Sequence, residues 1–363
     1  MRARTRIRLI AAIAAPLAAA PAVAQLPTPT HTAVPYGDGH VRQILDIYMP
    51  PGPSTPRPAV FWLHGGGWRS GSRAGGAERA PLLLERGIAL VAIEYRYSSD
   101  ALFPAQVHDC KAAIRWLRAH ADEYNIDPAR IGVWGASSGG HLAALVGTSA
   151  GDPACEGTVG GNTDQPSNVL AVADYYGHTD FFSIDPANAA CGTSESELLG
   201  ACLIDIQQNV DNPAWAELVA RARLASPLTH VSPDDPPFLI LHGGADTVVL
   251  PLQSHLLHDA LTEAGVASDL RIVPGAPHNV GLGFDQFTAD FFALHLADPG
   301  CLADWNNDGE VNSGDVSTFL AHWLRCVVVG SLGADVNDSG AVNSADIAAY
   351  LTMWIASIGP CGG

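Results

Sequence analysis

The sequence predicts an α/β protein built on a mostly parallel, doubly wound sheet, followed by a small all-α module. Three observations carry this expectation. Short apolar runs suited to buried strands alternate with amphipathic stretches between residues 59 and 296, the pattern of strands joined by covering helices. The strand-like run from Arg130 to Trp134 passes into a helix start through Gly135-Ala136-Ser137-Ser138-Gly139. A twelve-residue loop rich in Asp, Asn and Gly occurs twice, from Asp304 and from Asp335, an offset of 31 residues.

In chain order, Arg2, Arg4, Arg6 and Arg8 precede an apolar stretch from Leu9 to Ala20, and Ala22-Val23-Ala24 supplies small residues for cleavage. This layout predicts a secretory signal over 1–24 and an exported mature protein. The apolar stretch falls short of the roughly 20 residues that span a bilayer, so no transmembrane segment is expected. The sheet-bearing domain is expected over 25–297, with strands at Ala59–Leu63, Ile88–Ile93, Ile131–Trp134, Val169–Tyr175, Phe238–Leu241 and Asp269–Val273. Helices are expected near 104–120, 138–148, 252–264 and 284–296. The stretch 150–225, with Cys155, Cys191 and Cys202 and several Gly and Asn residues, reads as an insertion over the site.

The net charge is −18 and Lys111 is the sole lysine. That excludes the basic footprint of a nucleic-acid binder and favours neutral or sugar-borne substrates. Seven cysteines in an exported chain imply disulfides and at least one odd thiol. Cys191 and Cys202 bracket a short loop and are candidates to bridge, with Cys155 as a rival partner for either. Cys110, on a helix among apolar neighbours, reads as a buried free thiol. Cys301 and Cys361 flank the last segment and could clasp its ends, whereas Cys326 has no evident partner.

Ser137 is the candidate nucleophile, because a serine at a tight strand-to-helix turn has its hydroxyl lifted clear of the backbone. His64-Gly65-Gly66-Gly67-Trp68 follows a buried strand, so the amides of Gly66 and Gly67 are candidates, with that of Ser138, for an oxyanion hole. Asp246 stands in the loop after Phe238–Leu241, where ligand-binding groups collect in open α/β sheets. His278 stands in the loop after the last strand. The expected roles are nucleophile for Ser137, base for His278 and acid for Asp246. Of the 14 histidines, His178 is the rival base, and Asp174 and Asp180 are rival acids. His64 and His242 read as loop-shaping residues, His108 and His141 as helical, and His255 and His258 as solvated. Trp68, Tyr176 and His178 are candidates to line a substrate pocket. No cofactor is expected for catalysis.

Residues 36–297 resemble the secreted carboxylesterase branch of the α/β-hydrolases that includes acetylxylan and feruloyl esterases. The stretches that carry the resemblance are Leu45-Asp46-Ile47-Tyr48, HGGGW at 64–68, Tyr95-Arg96-Tyr97-Ser98, the run from Asp109 to Arg118, GxSxGGHLA at 135–143, Ala225-Ser226-Pro227 and the run from Pro236 to Gly243. The order Ser137, Asp246, His278 is that of this fold. The resemblance implies a serine esterase acting on acetyl or feruloyl groups of polysaccharide. A general short-chain carboxylesterase or lipase shares the pattern, and a catalytically silent binding protein is the reading from another class.

The duplicated loop places Asp304, Asn306, Asp308, Glu310, Asn312 and Asp315 in register with Asp335, Asn337, Ser339, Ala341, Asn343 and Asp346. Oxygen donors at positions 1, 3, 5, 9 and 12, with glycine at 6, form a calcium loop of the EF-hand kind. Each loop precedes an apolar helical stripe: Val316, Phe319, Leu320 and Trp323, then Ile347, Tyr350, Leu351 and Trp354. Residues 298–363 are therefore similar to a type I dockerin. This implies two structural Ca2+ sites and a cohesin-like or cell-surface partner.

Overall fold

A computed structural model describes residues 26–52, 55–298, 304, 310–329, 342–357 and 359–360. The expected signal (1–24), the Cys301–Cys361 clasp and loop positions Asn306, Asp308, Asp335, Asn337, Ser339 and Ala341 lie outside the described residues.

Eight strands form one sheet: β1 (His31–Pro35), β2 (Ile44–Tyr48), β3 (Arg57–Leu63), β4 (Ala89–Ile93), β5 (Ile126–Ala136), β6 (Val172–Tyr175), β7 (Phe238–Gly243) and β8 (Ser268–Val273). Their spatial order is β1-β2-β4-β3-β5-β6-β7-β8. The pairs β1/β2 and β2/β4 are antiparallel and all later pairs are parallel. The helices are α1 (Gly76–Leu84), α2 (Ala105–Ala119), α3 (Ser138–Thr148), α4 (Pro153–Glu156), α5 (Ser194–Leu199), α6 (Leu203–Gln208), α7 (Ala216–Leu224), α8 (Leu252–Glu263) and α9 (Asp285–His295).

Side chains alternate across the sheet, as the two-residue period of a strand requires. On β3, Ala59, Phe61 and Leu63 face a core that includes Val107, Ile114, Leu142, Leu145, Leu257 and Leu261 from α2, α3 and α8. Val60 and Trp62 face a second core with Ala80 and Leu83 of α1 and Ala289 and Phe292 of α9. Both faces are covered, which is why β3 and β4 read as unbroken apolar runs.

Sequence reasoning passed over β1, β2 and α1. The first strand is interrupted by a register shift at Ala33, whose φ is 52°. The second carries a buried Asp46 that is held by Thr32, the Ala33 amide and Arg73. The first helix contains Pro81. Each feature breaks the local signal while tertiary contacts preserve the element. The 150–225 stretch is not a single insertion: it holds β6 of the main sheet as well as α4 to α7, and a disulfide joins Cys191 to Cys202 around α5. Cys110 and Cys155 are buried free thiols.

The C-terminal residues form α10 (Ser313–Val329) and α11 (Ser344–Ser357), with a short antiparallel bridge between β9 (Glu310–Val311) and β10 (Gly359–Pro360). The module is helical as expected, with that two-residue bridge added. Phe319 stacks on Tyr350 with centroids 4.0 Å apart. Trp323 Nε1 donates to the Asn343 carbonyl at 2.9 Å, and Trp354 Nε1 to that of Asn312 at 2.8 Å. These reciprocal contacts carry the sequence duplication into three dimensions: each helix ties down the loop of the other. Among the described residues, no helix is long and apolar enough to cross a membrane.

Candidate active site

The turn from β5 into α3 dictates the position of Ser137. Its φ of 57° and ψ of −123° lie outside the regions an L-residue favours, a strain that neighbouring contacts must maintain. The Ser137 amide donates to the Tyr175 carbonyl at 2.8 Å, and its carbonyl accepts from the His141 amide at 3.0 Å. A Cβ on Gly139 would fall 2.0 Å from the Leu63 carbonyl oxygen. The second glycine of the pentapeptide is therefore a packing requirement between helix and strand.

The His278 ring stands between two oxygens. Its Nε2 is 2.9 Å from Ser137 Oγ and its Nδ1 is 2.7 Å from Asp246 Oδ2. The Asp246 side chain is sealed from solvent, whereas that of His278 is 23% exposed, so the carboxylate is sealed while the imidazole remains reachable. Burial would raise the Asp246 pKa, but hydrogen bonds from His242 and His278 and from the Val248 amide hold the carboxyl well below its usual range. Its Oδ1 accepts from the amides of Val248 and Val249 at 2.8 and 3.0 Å. The candidate base is thus faced by a carboxylate that stays ionised at neutral pH.

Sequence reasoning missed His242, which it read as a loop-shaping residue. The ring is fully buried, with Nδ1 2.7 Å from Ser254 Oγ and Nε2 2.8 Å from the Val249 carbonyl and 3.1 Å from Asp246 Oδ2. The spacing of four residues between His242 and Asp246 across a strand end was the available signal. Only the turn of the loop shows that it closes a contact.

The oxyanion-loop candidates lie beside this relay. A Cβ on Gly65 would stand 3.2 Å from Ser137 Cβ. Gly66, Gly67 and Trp68 have φ values of 121°, 62° and 53°, three successive left-handed residues. At Gly66 a side chain would collide with the Ser70 carbonyl at 2.2 Å. Among the described residues, no carbonyl or side chain accepts from the amides of Gly66, Gly67 or Ser138. These three amides remain the candidate oxyanion donors.

Trp68 is wholly buried behind this loop, and its Nε1 donates to His141 Nδ1 at 3.1 Å. His141 Nε2 lies 2.7 Å from the Ala225 carbonyl, and burial lowers the pKa of this ring to about 3. The neutral ring accepts from Trp68 and donates to Ala225, tying the HGGGW loop to the helix that begins at the nucleophile. His178 is held by Glu195, with Nε2 to Oε1 at 3.0 Å, and its ring lies 5.4 Å from that of Trp68. Tyr176 packs edge-on against the His278 ring at 4.7 Å. Of the three pocket candidates, Tyr176 touches the relay, and Trp68 and His178 support the loop from behind. The rivals are engaged elsewhere. Asp174, raised to about 6 by burial, accepts from the Gly177 amide. Asp180 caps Phe182 at 3.1 Å.

A disulfide-closed segment forms one wall. A Cβ on Gly67 would stand 3.0 Å from Ser194 Cβ, and Arg69 pairs with Glu197 at 3.1 Å. Helix α5 therefore abuts the HGGGW loop.

The BD-FAE family model matches residues 45–261. The chain belongs to the BD-FAE family. A dockerin type I domain matches residues 302–351. Esterase LipQ of Mycobacterium tuberculosis is 32% identical over 68% of this BD-FAE chain, which spans 56% of the length of that relative. A truncated carbohydrate esterase from gut microbiota superposes with a TM-score of 0.66 at 33% identity, covering 74% of this chain and 96% of that one. An acetyl ester-xyloside bifunctional hydrolase from Caldicellulosiruptor lactoaceticus has a TM-score of 0.53 at 26% identity, covering 69% and 84%.

In the dockerin domain, Asn312 Oδ1 accepts from the Gly314 amide while Asp315 Oδ2 accepts from the Asn312 amide, both at 2.8 Å. Asn343, Ala345 and Asp346 repeat this reciprocal cap. Asp304 is 6% exposed and Asp315 and Asp346 are 0% exposed. Buried carboxylates among oxygen donors fit a hard cation such as Ca2+.

Proposed function

We propose that this protein is an exported serine esterase that removes acyl groups from carbohydrate esters. The observation that carries the reading is the hydroxyl–imidazole–carboxylate relay at 2.9 and 2.7 Å beside three unengaged amides. Ser137 Oγ attacks the ester carbonyl as His278 Nε2 takes its proton. The carbonyl oxygen, now negative, meets the amides of Gly66, Gly67 and Ser138, each such donor contributing on the order of 3 kcal/mol to the transition state. Collapse expels the alcohol, protonated by His278, and leaves an acyl group on Ser137. A water molecule deprotonated by His278 then attacks the acyl carbon and the acid departs. Asp246 holds the imidazole in the tautomer both halves require.

The carbohydrate part rests on the carbohydrate esterase relative and on the dockerin domain, a module that places its carrier beside a partner protein. Acetylated xylan, methyl ferulate and a series of p-nitrophenyl esters assayed side by side provide the test. A carbohydrate ester turned over with a kcat/KM at least equal to that of p-nitrophenyl butyrate is the expected result. Hydrolysis of the p-nitrophenyl esters alone would assign the protein to the general short-chain carboxylesterases instead.

The C-terminal domain is proposed to hold two calcium ions, one by Asp304, Asn306, Asp308, Glu310, Asn312 and Asp315, the other by Asp335, Asn337, Ser339, Ala341, Asn343 and Asp346, and to dock onto a cohesin-like partner. Calcium neutralises carboxylates that a core as small as Phe319 and Tyr350 could not keep buried unaided. Scanning calorimetry of the full chain should show a calcium-dependent transition that excess chelator abolishes, with the larger transition retained. Traces identical with and without chelator would count against both calcium sites.

A further inference from the structure

Asp152, Cys155 and His230 converge away from the catalytic relay, where the chain leaves α3 and where its approach to β7 begins. Their ligand atoms all lie within 4.8 Å of one another. Cys155 is wholly buried and is not part of the Cys191–Cys202 disulfide. Asp152 caps α4 through Oδ1, which accepts from the Ala154 amide at 2.9 Å, and presents Oδ2 to His230 Nδ1 at 3.4 Å. On its far side His230 Nε2 lies 3.0 Å from the Leu224 carbonyl.

We propose that Cys155, His230 and Asp152 form a zinc site, with water in the fourth position. Three features of the trio favour this over a chance cluster. Tetrahedral zinc with Zn–N and Zn–O bonds of about 2.0–2.2 Å sets those two ligand atoms roughly 3.4 Å apart. The observed 3.4 Å between Nδ1 and Oδ2 matches that edge and exceeds the usual length of a hydrogen bond. Secondly, the Leu224 carbonyl requires the proton on His230 Nε2, so the Nδ1 lone pair faces the other two donors. A backbone carbonyl on the distal nitrogen is the usual partner of a metal-binding imidazole. Thirdly, one thiolate and one carboxylate neutralise a dication, and a sulfur–nitrogen–oxygen set suits zinc better than calcium or magnesium.

The charges around the site are compatible with this. Lys111, buried near Cys155, is paired with Glu156 at 2.8 Å. A bound metal would displace the thiol proton to solvent. The ion would clip residues 152–155 to residue 230. The chain between those ends carries α5, the wall beside Gly67. The ion would hold that wall in place and lie outside the path of acyl transfer.

Cobalt(II) titration of the calcium-saturated full chain tests the site, because a cobalt–thiolate bond produces a charge-transfer absorption that oxygen and nitrogen ligands do not. One equivalent bound with that band is expected in the wild type. Cys155→Ser should abolish the band. Asp152→Asn keeps an oxygen for the α4 cap and should weaken cobalt binding at least about tenfold while leaving the fold intact. Zinc should displace the cobalt and bleach the absorption. A folded wild type without the band, or a band undiminished in Cys155→Ser, would overturn the assignment.

Discussion

Replacement of Ser137 by alanine is expected to lower kcat by about 10⁴–10⁶-fold, with little change in KM and none in folding. The loss is large because the hydroxyl, imidazole and carboxylate act as a unit. Without Oγ there is no acyl-enzyme, and His278 has no proton to receive. The backbone at 137 should survive the change: its amide donates to Tyr175 and its carbonyl accepts from His141, and neither contact involves the side chain. What remains is the catalysis supplied by substrate binding and by the amides of Gly66, Gly67 and Ser138. Ester hydrolysis followed on p-nitrophenyl acetate, with circular dichroism to check folding, decides the matter. Equal rates for variant and wild type would remove Ser137 from the chemistry.

Asp246→Asn is expected to lower kcat by about 10⁴-fold while preserving the shape of the site. The two oxygens of Asp246 have different duties. Oδ1 accepts the amides of Val248 and Val249, and Oδ2 faces His278 and His242. An asparagine oriented to keep the two backbone hydrogen bonds turns its NH2 group toward both imidazoles. His278 Nδ1 must then accept, its proton moves to Nε2, and the ring can no longer take one from Ser137. The carboxyl is held below its ordinary range when folded, so its stabilisation is complete above pH ~4 and is lost as the pH falls below that value. The asparagine variant should lack this acid-side loss in a pH series of urea unfolding. A fall in kcat of less than tenfold would show that Asp246 does not orient the base.

The candidate nucleophile, base and acid were legible because each is written in local grammar. Steric collisions at the β5–α3 turn demand glycine at 139, and the run of positive φ angles selects glycine at 66 and 67. Asp246 follows an apolar run that announces a strand end, and His278 follows the last strand. The parallel sheet was legible for a similar reason: strands buried on both faces leave unbroken apolar runs. What escaped depends on partners distant in sequence. Nothing near Trp68 announces that its indole meets His141, or that Glu195 inside the disulfide loop meets His178. The edge strands β1 and β2 escaped because a bulge at Ala33 and the buried charge of Asp46 erase the alternation that marks a strand. In the C-terminal domain, the offset of 31 residues made the duplicated loops legible, while the exchange of Trp323 and Trp354 between them needed coordinates.

Reaction with diethyl p-nitrophenyl phosphate, followed by peptide mass mapping, asks most directly whether one activated serine carries the chemistry. The reagent phosphorylates a serine only where a base removes its proton and amides receive the developing charge. A single diethylphosphoryl group on the peptide containing Ser137, with activity lost in proportion to labelling and no adduct in Ser137→Ala or His278→Ala, is the expected result. An enzyme that is fully active but unlabelled, or labelled on another residue, would contradict the relay described here.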